Sequence, residues 1–143
     1  MSDIPRILIP VDGSEHARNA IAHALSMTAA NPAAEIHLLN VQPPVRGAAA
    51  SLVAQSDLES YHREEGMTVL ADAAKTVEAG GKRPPLHVGV GDPGETVLAF
   101  AKRLACTQIV MGTRGLGGVG AFLLGSVARD VAGSADIPVT VIR

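Results

Sequence analysis

Tryptophan is absent from this chain, and its aromatic complement is one tyrosine, Tyr61, and two phenylalanines, Phe100 and Phe122. Any core must therefore be aliphatic. Single-stranded nucleic acid is held by stacking aromatics on a basic surface, and 12 basic against 14 acidic residues supply neither. No nucleic-acid partner is expected. Cysteine is reduced to Cys106, which excludes an internal disulfide framework and fits a reducing compartment. Just ahead of an apolar run, Cys106 is expected to be a buried structural thiol. No apolar run approaches the roughly 20 residues that cross a bilayer. The N-terminal stretch MSDIPRILIPVDGS reads as a strand and turn, not as a basic leader with a long apolar segment. The expectation is a cytoplasmic protein with no membrane association.

What is present is a regular alternation of patterns. Residues 6–11 (RILIPV), 35–41 (EIHLLNV), 85–90 (PLHVGV), 107–111 (TQIVM) and 137–142 (IPVTVI) are short apolar runs, the signature of strands buried in a parallel sheet. Between them lie stretches of helical spacing. In residues 15–30 it is carried by Ala17, Ala20, Ile21, Ala24, Leu25 and Thr28, with Ser14 or Asp12 able to cap the start. Residues 58–79 show it at Tyr61, Val69, Leu70, Ala73 and Val77, ended by Gly80 and Gly81. Residues 45–56, rich in Ala, Ser and Gly, read as a mobile loop with room for a helical turn. Asp92, Pro93, Gly94 and Glu95 read as N-cap, N1 proline and capping-box glutamate of a helix running to about Leu104. Residues 125–133 form a last helix. The alternation predicts one α/β domain over residues 1–143, a Rossmann-like three-layer sandwich with a five-stranded parallel sheet and helices on both faces. At 47% hydrophobic and 18% charged residues, disorder is a poor reading.

Six of the 15 glycines fall between Gly112 and Gly125. Gly112 and Gly115 are separated by two residues, and nine more lead to Gly125 and Ser126. That arrangement places backbone N–H groups at a strand's end and again at a helix's start. Glycine leaves the backbone open to close approach, and a helix N-terminus offers unpaired donors with the positive end of its dipole. Phosphate suits such a surface. Other phosphate motifs fit less well. Residues 89–94 and 115–120 both match G-x-G-x-x-G, but neither has the chain context of a dinucleotide half-fold. Residues 120–125 have P-loop spacing, yet Ser126 stands where the lysine should be. Phosphate charge would then fall to backbone N–H groups, Ser126, Arg114 and a divalent cation such as Mg2+. The histidines His16, His23, His37, His62 and His87 show no metal-ligand spacing and are expected at the surface or partly buried.

Gly112, Gly115, Gly125 and Ser126 reproduce a G-x2-G-x9-G-[ST] pattern, and Pro10, Val11, Asp12, Gly13 and Ser14 form a matching strand end. In both respects the chain resembles the universal stress protein family, in its ATP-binding branch. The resemblance implies strand order 3-2-1-4-5, with Asp12 and Gly112 facing each other where the order reverses. It further implies that Pro10, Val11 and Asp12 hold the nucleoside, that Val41 lies against adenine, and that Met111, Gly112, Gly115, Gly125, Ser126 and Val127 meet ribose and phosphates. A homodimer is implied through the last strand, from Ile137 to Ile142. The H-x-G-H signature of adenylyl-transferring relatives of the fold is absent, and no nucleophile, base and orienter set is visible. The expected function is an ATP-binding stress-response module with at most slow hydrolysis or self-phosphorylation. A slow ATPase and a dimeric stress adaptor that binds no nucleotide are the alternatives. No residue pattern names a downstream partner.

Overall fold

The computed structural model describes residues 4–47, 51–113 and 125–143. Along them run β1 (Arg6–Pro10), α1 (Glu15–Thr28), β2 (Glu35–Gln42), α2 (Gln55–Ala79), β3 (Leu86–Val90), α3 (Pro93–Arg103), β4 (Gln108–Gly112), α4 (Ser126–Ser134) and β5 (Val139–Ile142). The strands form one sheet in the order β3-β2-β1-β4-β5, as expected, and every neighbouring pair is parallel.

Side chains in a strand alternate between the two faces of its sheet, and here both faces are apolar. On one face Ile7, Ile9, Val11, Ile36, Leu38 and Val110 pack with Ala17, Ala20, Ile21 and Ala24 of α1 and with Leu70, Ala73, Ala74 and Val77 of α2. On the other, Leu8, Leu39, Ile109 and Met111 pack with Val97 and Ala101 of α3, Ala128 and Val131 of α4, and Cys106. A fully buried Ile or Leu contributes about 1.5–3 kcal/mol each. That burial is available on both sides of β1, so the central strands hold the fold. Alanines dominate the helix side of the first cluster, which allows α1 to lie close on the sheet.

The element boundaries differ from expectation in ways that have causes. β1 ends at Pro10, one residue early, although Val11 N–H still donates to Leu39 O at 2.8 Å. β5 begins at Val139, not Ile137, because Pro138 has no N–H to give to the ladder. α2 starts at Gln55, three residues before Leu58, so the expected 45–56 loop gives way to helix at its end. Tyr61 is 51% exposed and not on the buried face. The buried stripe of α2 runs instead through His62, Gly66, Leu70, Ala73, Ala74 and Val77. With 25 residues the helix is about 37 Å long, while β3 beneath it has five residues, about 17 Å.

His37 and His62 are each only 7% exposed, more deeply buried than expected. His37 belongs to a polar chain on the α3 face. Its Nε2–H donates to Glu35 Oε1 at 2.8 Å, Arg6 Nε donates to the same oxygen at 3.2 Å, and its Nδ1 lies 3.0 Å from His87 Nε2. The bond from His37, aided by Arg6, holds the Glu35 carboxyl below the usual carboxylate range. Burial foremost, then the neighbouring His37 and Arg103 side chains, pushes the His87 pKa down. Cys106 is buried as expected, and burial raises its thiol to about 11.

Candidate functional site

β1 and β4 are neighbours in the sheet, yet their following helices leave on opposite faces, and a crevice opens between the strand ends. A cavity of about 790 Å³ fills it. Of the residues that sequence reasoning singled out, the structure brings Pro10, Val11, Asp12, Val41, Met111, Gly112, Gly125, Ser126 and Val127 to its wall. Arg114 and Gly115 lie outside the described residues. Asp12 and Gly112 border the same space, as expected for facing strand ends.

Each wall has a local reason. At the end of β1, Asp12 Oδ1 accepts the N–H of Ser14 at 2.9 Å, and Gly13 takes φ +85°, a turn conformation that suits glycine. Ser14 Oγ then accepts the N–H of Ala17 at 3.2 Å and caps α1. The second carboxylate oxygen of Asp12 stays outside this turn. At the end of β4, Gly112 is required by packing: a Cβ there would lie 2.6 Å from His16 Cβ and 2.8 Å from the His16 carbonyl carbon. The bare position thus serves the approach of α1, a role that spacing alone did not suggest. Thr113 N–H donates to Ile142 O, and Gly125 N–H donates to Thr113 O, which ties β5, the end of β4 and the start of α4 together.

That last bond corrects one reading. The N–H of Gly125 is committed to protein, so it is not a free donor. Gly125 is also the N-cap of α4, while Ser126 is the first helical residue and does not cap it. No side chain caps α4 among the described residues. The N–H groups of Ser126, Val127 and Ala128 precede the helical ladder, whose first bond joins Arg129 N–H to Gly125 O at 3.0 Å. One side of the cavity therefore offers helix-start donors, and another is apolar, built from Val41, Met111, Leu39 and Val97.

Several lining residues were not singled out as site residues, notably Leu39, Pro43, Pro93 and Thr113. Asn40 was missed as well. It is 4% exposed, and its Nδ2 donates to Val11 O at 2.9 Å while its Oδ1 accepts from Gln42 Nε2 at 2.6 Å. An amide inside an otherwise apolar strand was the available clue. It fixes the carbonyl of Val11, one residue past β1, beside the cavity. Among the described residues no three His, Cys, Asp or Glu side chains converge as metal ligands, and no helix is long and apolar enough to cross a membrane.

The model of the Universal stress protein family matches residues 4–143. The chain belongs to the universal stress protein family. A universal stress protein of Methanocaldococcus jannaschii is 32% identical over 143 residues, covering 96% of this chain and 81% of that one. Among solved structures, hypothetical protein MJ0577 superposes with a TM-score of 0.83 at 28% identity, over 96% of this chain and 94% of that one. Two more distant universal stress proteins share the fold and were solved with nucleotides. One is a complex with cAMP, at TM-score 0.70 and 22% identity, covering 99% of this chain and 98% of that one. The other, from Archaeoglobus fulgidus, is a complex with dAMP, at TM-score 0.68 and 23% identity, with full coverage of both chains.

Proposed function

We propose that this universal stress protein binds ATP in the crevice between the ends of β1 and β4, as a nucleotide-dependent stress-response module. The observation that carries this reading is the pairing, within one cavity, of a helix start that no described side chain caps with an apolar slot. Its volume of about 790 Å³ falls in the range of sites for ligands of this size. Val41 and Met111 suit the faces of a purine, which needs no aromatic partner. Asp12 is placed for the sugar, and Ser126, Val127 and Gly112 for the ribose and phosphates, with Pro10 and Val11 behind. Arg114 and Gly115 complete the phosphate end by their place in the sequence. The cAMP and dAMP complexes of fold relatives support an adenine nucleotide as the ligand class.

Mg2+ fits the donors present. It is commonly held by one carboxylate together with substrate phosphates, and Asp12 keeps one oxygen outside its turn while Ser126 brings a hydroxyl to the same cavity. The ion would supply charge for the triphosphate in place of the missing lysine. Turnover is at most slow. β5 is an edge strand with half-buried side chains, so a two-fold pairing of β5 with its copy would protect it and give a homodimer.

Titration calorimetry with ATP, ADP, AMP and NAD tests the site. ATP should bind, and Asp12→Ala or Gly115→Val should abolish binding in a protein that still melts cooperatively. Unchanged ATP affinity in both variants would overturn this location. A wild-type chain that binds no nucleotide would favour the adaptor reading, while steady release of ADP would favour the ATPase. Sedimentation showing only monomer at micromolar concentration would remove the β5 dimer.

A further inference from the structure

We infer that His62, on α2 and outside the cavity, is a positioning residue that sets one wall of the binding slot by holding the carbonyl of Pro43. This rests on the nucleotide reading of the cavity. After β2 the chain is a thin partition with space on both sides. Pro43 lines the large cavity, while the next residues, Pro44 and Val45, line a second groove of about 660 Å³ with Leu58, Met67 and Val88. Neither proline has an N–H, so this backbone is short of donors with which to anchor itself.

The anchors that exist are unevenly spread. Gln42 is pinned twice, through Gly91 N–H to its carbonyl at 3.1 Å and through its side chain to Asn40 at 2.6 Å. One residue later the described hold on the partition is His62 Nε2, 3.1 Å from Pro43 O. A carbonyl oxygen only accepts, so Nε2 carries the hydrogen. Both the neutral Nε2–H tautomer and the imidazolium donate there, and the bond survives protonation. The imidazole is itself held in place. His62 is 7% exposed, and one turn on, Gly66 lets α2 press on β3 so closely that a Cβ would lie 2.7 Å from Val88 Cγ2.

Without the His62 bond, the partition has a groove to relax into and the slot between Val41 and Pro43 loses its spacing. The effect belongs to the base end of the ligand. Among the described residues the phosphate end, at α4, shares no hydrogen bond with the partition.

The test compares the full chain with His62→Leu, which removes the donor, and His62→Gln, which keeps one. In ligand-free protein, amide hydrogen exchange at residues 45–47 should accelerate in His62→Leu and stay near wild type in His62→Gln, with the rest of α2 unchanged. In calorimetry, AMP and ATP should weaken by the same factor, about tenfold, in His62→Leu, with inorganic tripolyphosphate unaffected and His62→Gln restoring affinity. Unchanged exchange in His62→Leu overturns the anchor. Equal weakening of tripolyphosphate and AMP also overturns it, since the loss is then general. If the wild type binds no nucleotide, the ligand reading and this positioning role fall together; faster exchange in His62→Leu would then show a purely structural tie.

Discussion

At the start of α1, Ser14 Oγ accepts the N–H of Ala17 and Asp12 Oδ1 accepts that of Ser14, whereas α4 opens at Gly125 with no side-chain cap among the described residues. The two starts border one cavity, yet the first spends its polar groups on its own backbone and the second leaves them open. A missing cap typically costs about 0.5–2 kcal/mol, so α4 carries an expense that α1 avoids. The difference separates a start that holds the frame from one that is free to meet a ligand.

The comparison breaks hardest at Gly112. Gly112→Ala would drive a Cβ into His16, in the first turn of α1, and should destabilise the protein by about 1–3 kcal/mol, read by urea denaturation. Gly133→Ala in α4 meets nothing within 4 Å and should instead be neutral or stabilising by up to about 1 kcal/mol. Ser14→Ala comes next, with an expected loss of about 1 kcal/mol. Ser126→Ala should leave stability within about 0.5 kcal/mol while weakening ATP about three- to tenfold. Equal stability losses for the two serines would erase the distinction between the helix starts.

Acid should act beneath α3, at His87 and Glu35. The pKa of His87 is lowered from 6.5, so below about pH 6.5 the unfolded chain takes up the proton first and stability falls. Glu35 is lowered from 4.5, so its contribution, present above that value, is lost as pH falls through its depressed pKa. Both shifts lower the melting temperature on going from about pH 7 to about pH 4, and His87→Gln should flatten the upper part of that profile in calorimetry. Smallest of all is the response of Cys106. With its thiol raised to about 11, it should resist alkylation at neutral pH until the chain unfolds.

Much of this frame could be read in advance, because β-branched runs such as residues 6–11 and 35–41 have few other homes than a buried sheet. The strand order needed the family resemblance, since periodicity says nothing about which strands are neighbours. What stayed hidden shares a cause: the residue type masks the role. Gly66 and His62 carry the buried stripe of α2 without looking apolar, so Tyr61 was placed on the wrong face. Pro43, a residue with no polar side chain and no N–H, is a wall of the cavity. Gly112 looked like space for a ligand and is first of all space for His16. At the other end of the glycine run, Ser126 has the residue type of a cap, but Gly125 occupies the capping position.

The tie from Ile142 through Thr113 to Gly125 stitches the base of the segment between residues 113 and 125 shut, like the neck of a pouch. Undoing that seam would loosen the ends of β4 and β5 and the start of α4 at one stroke.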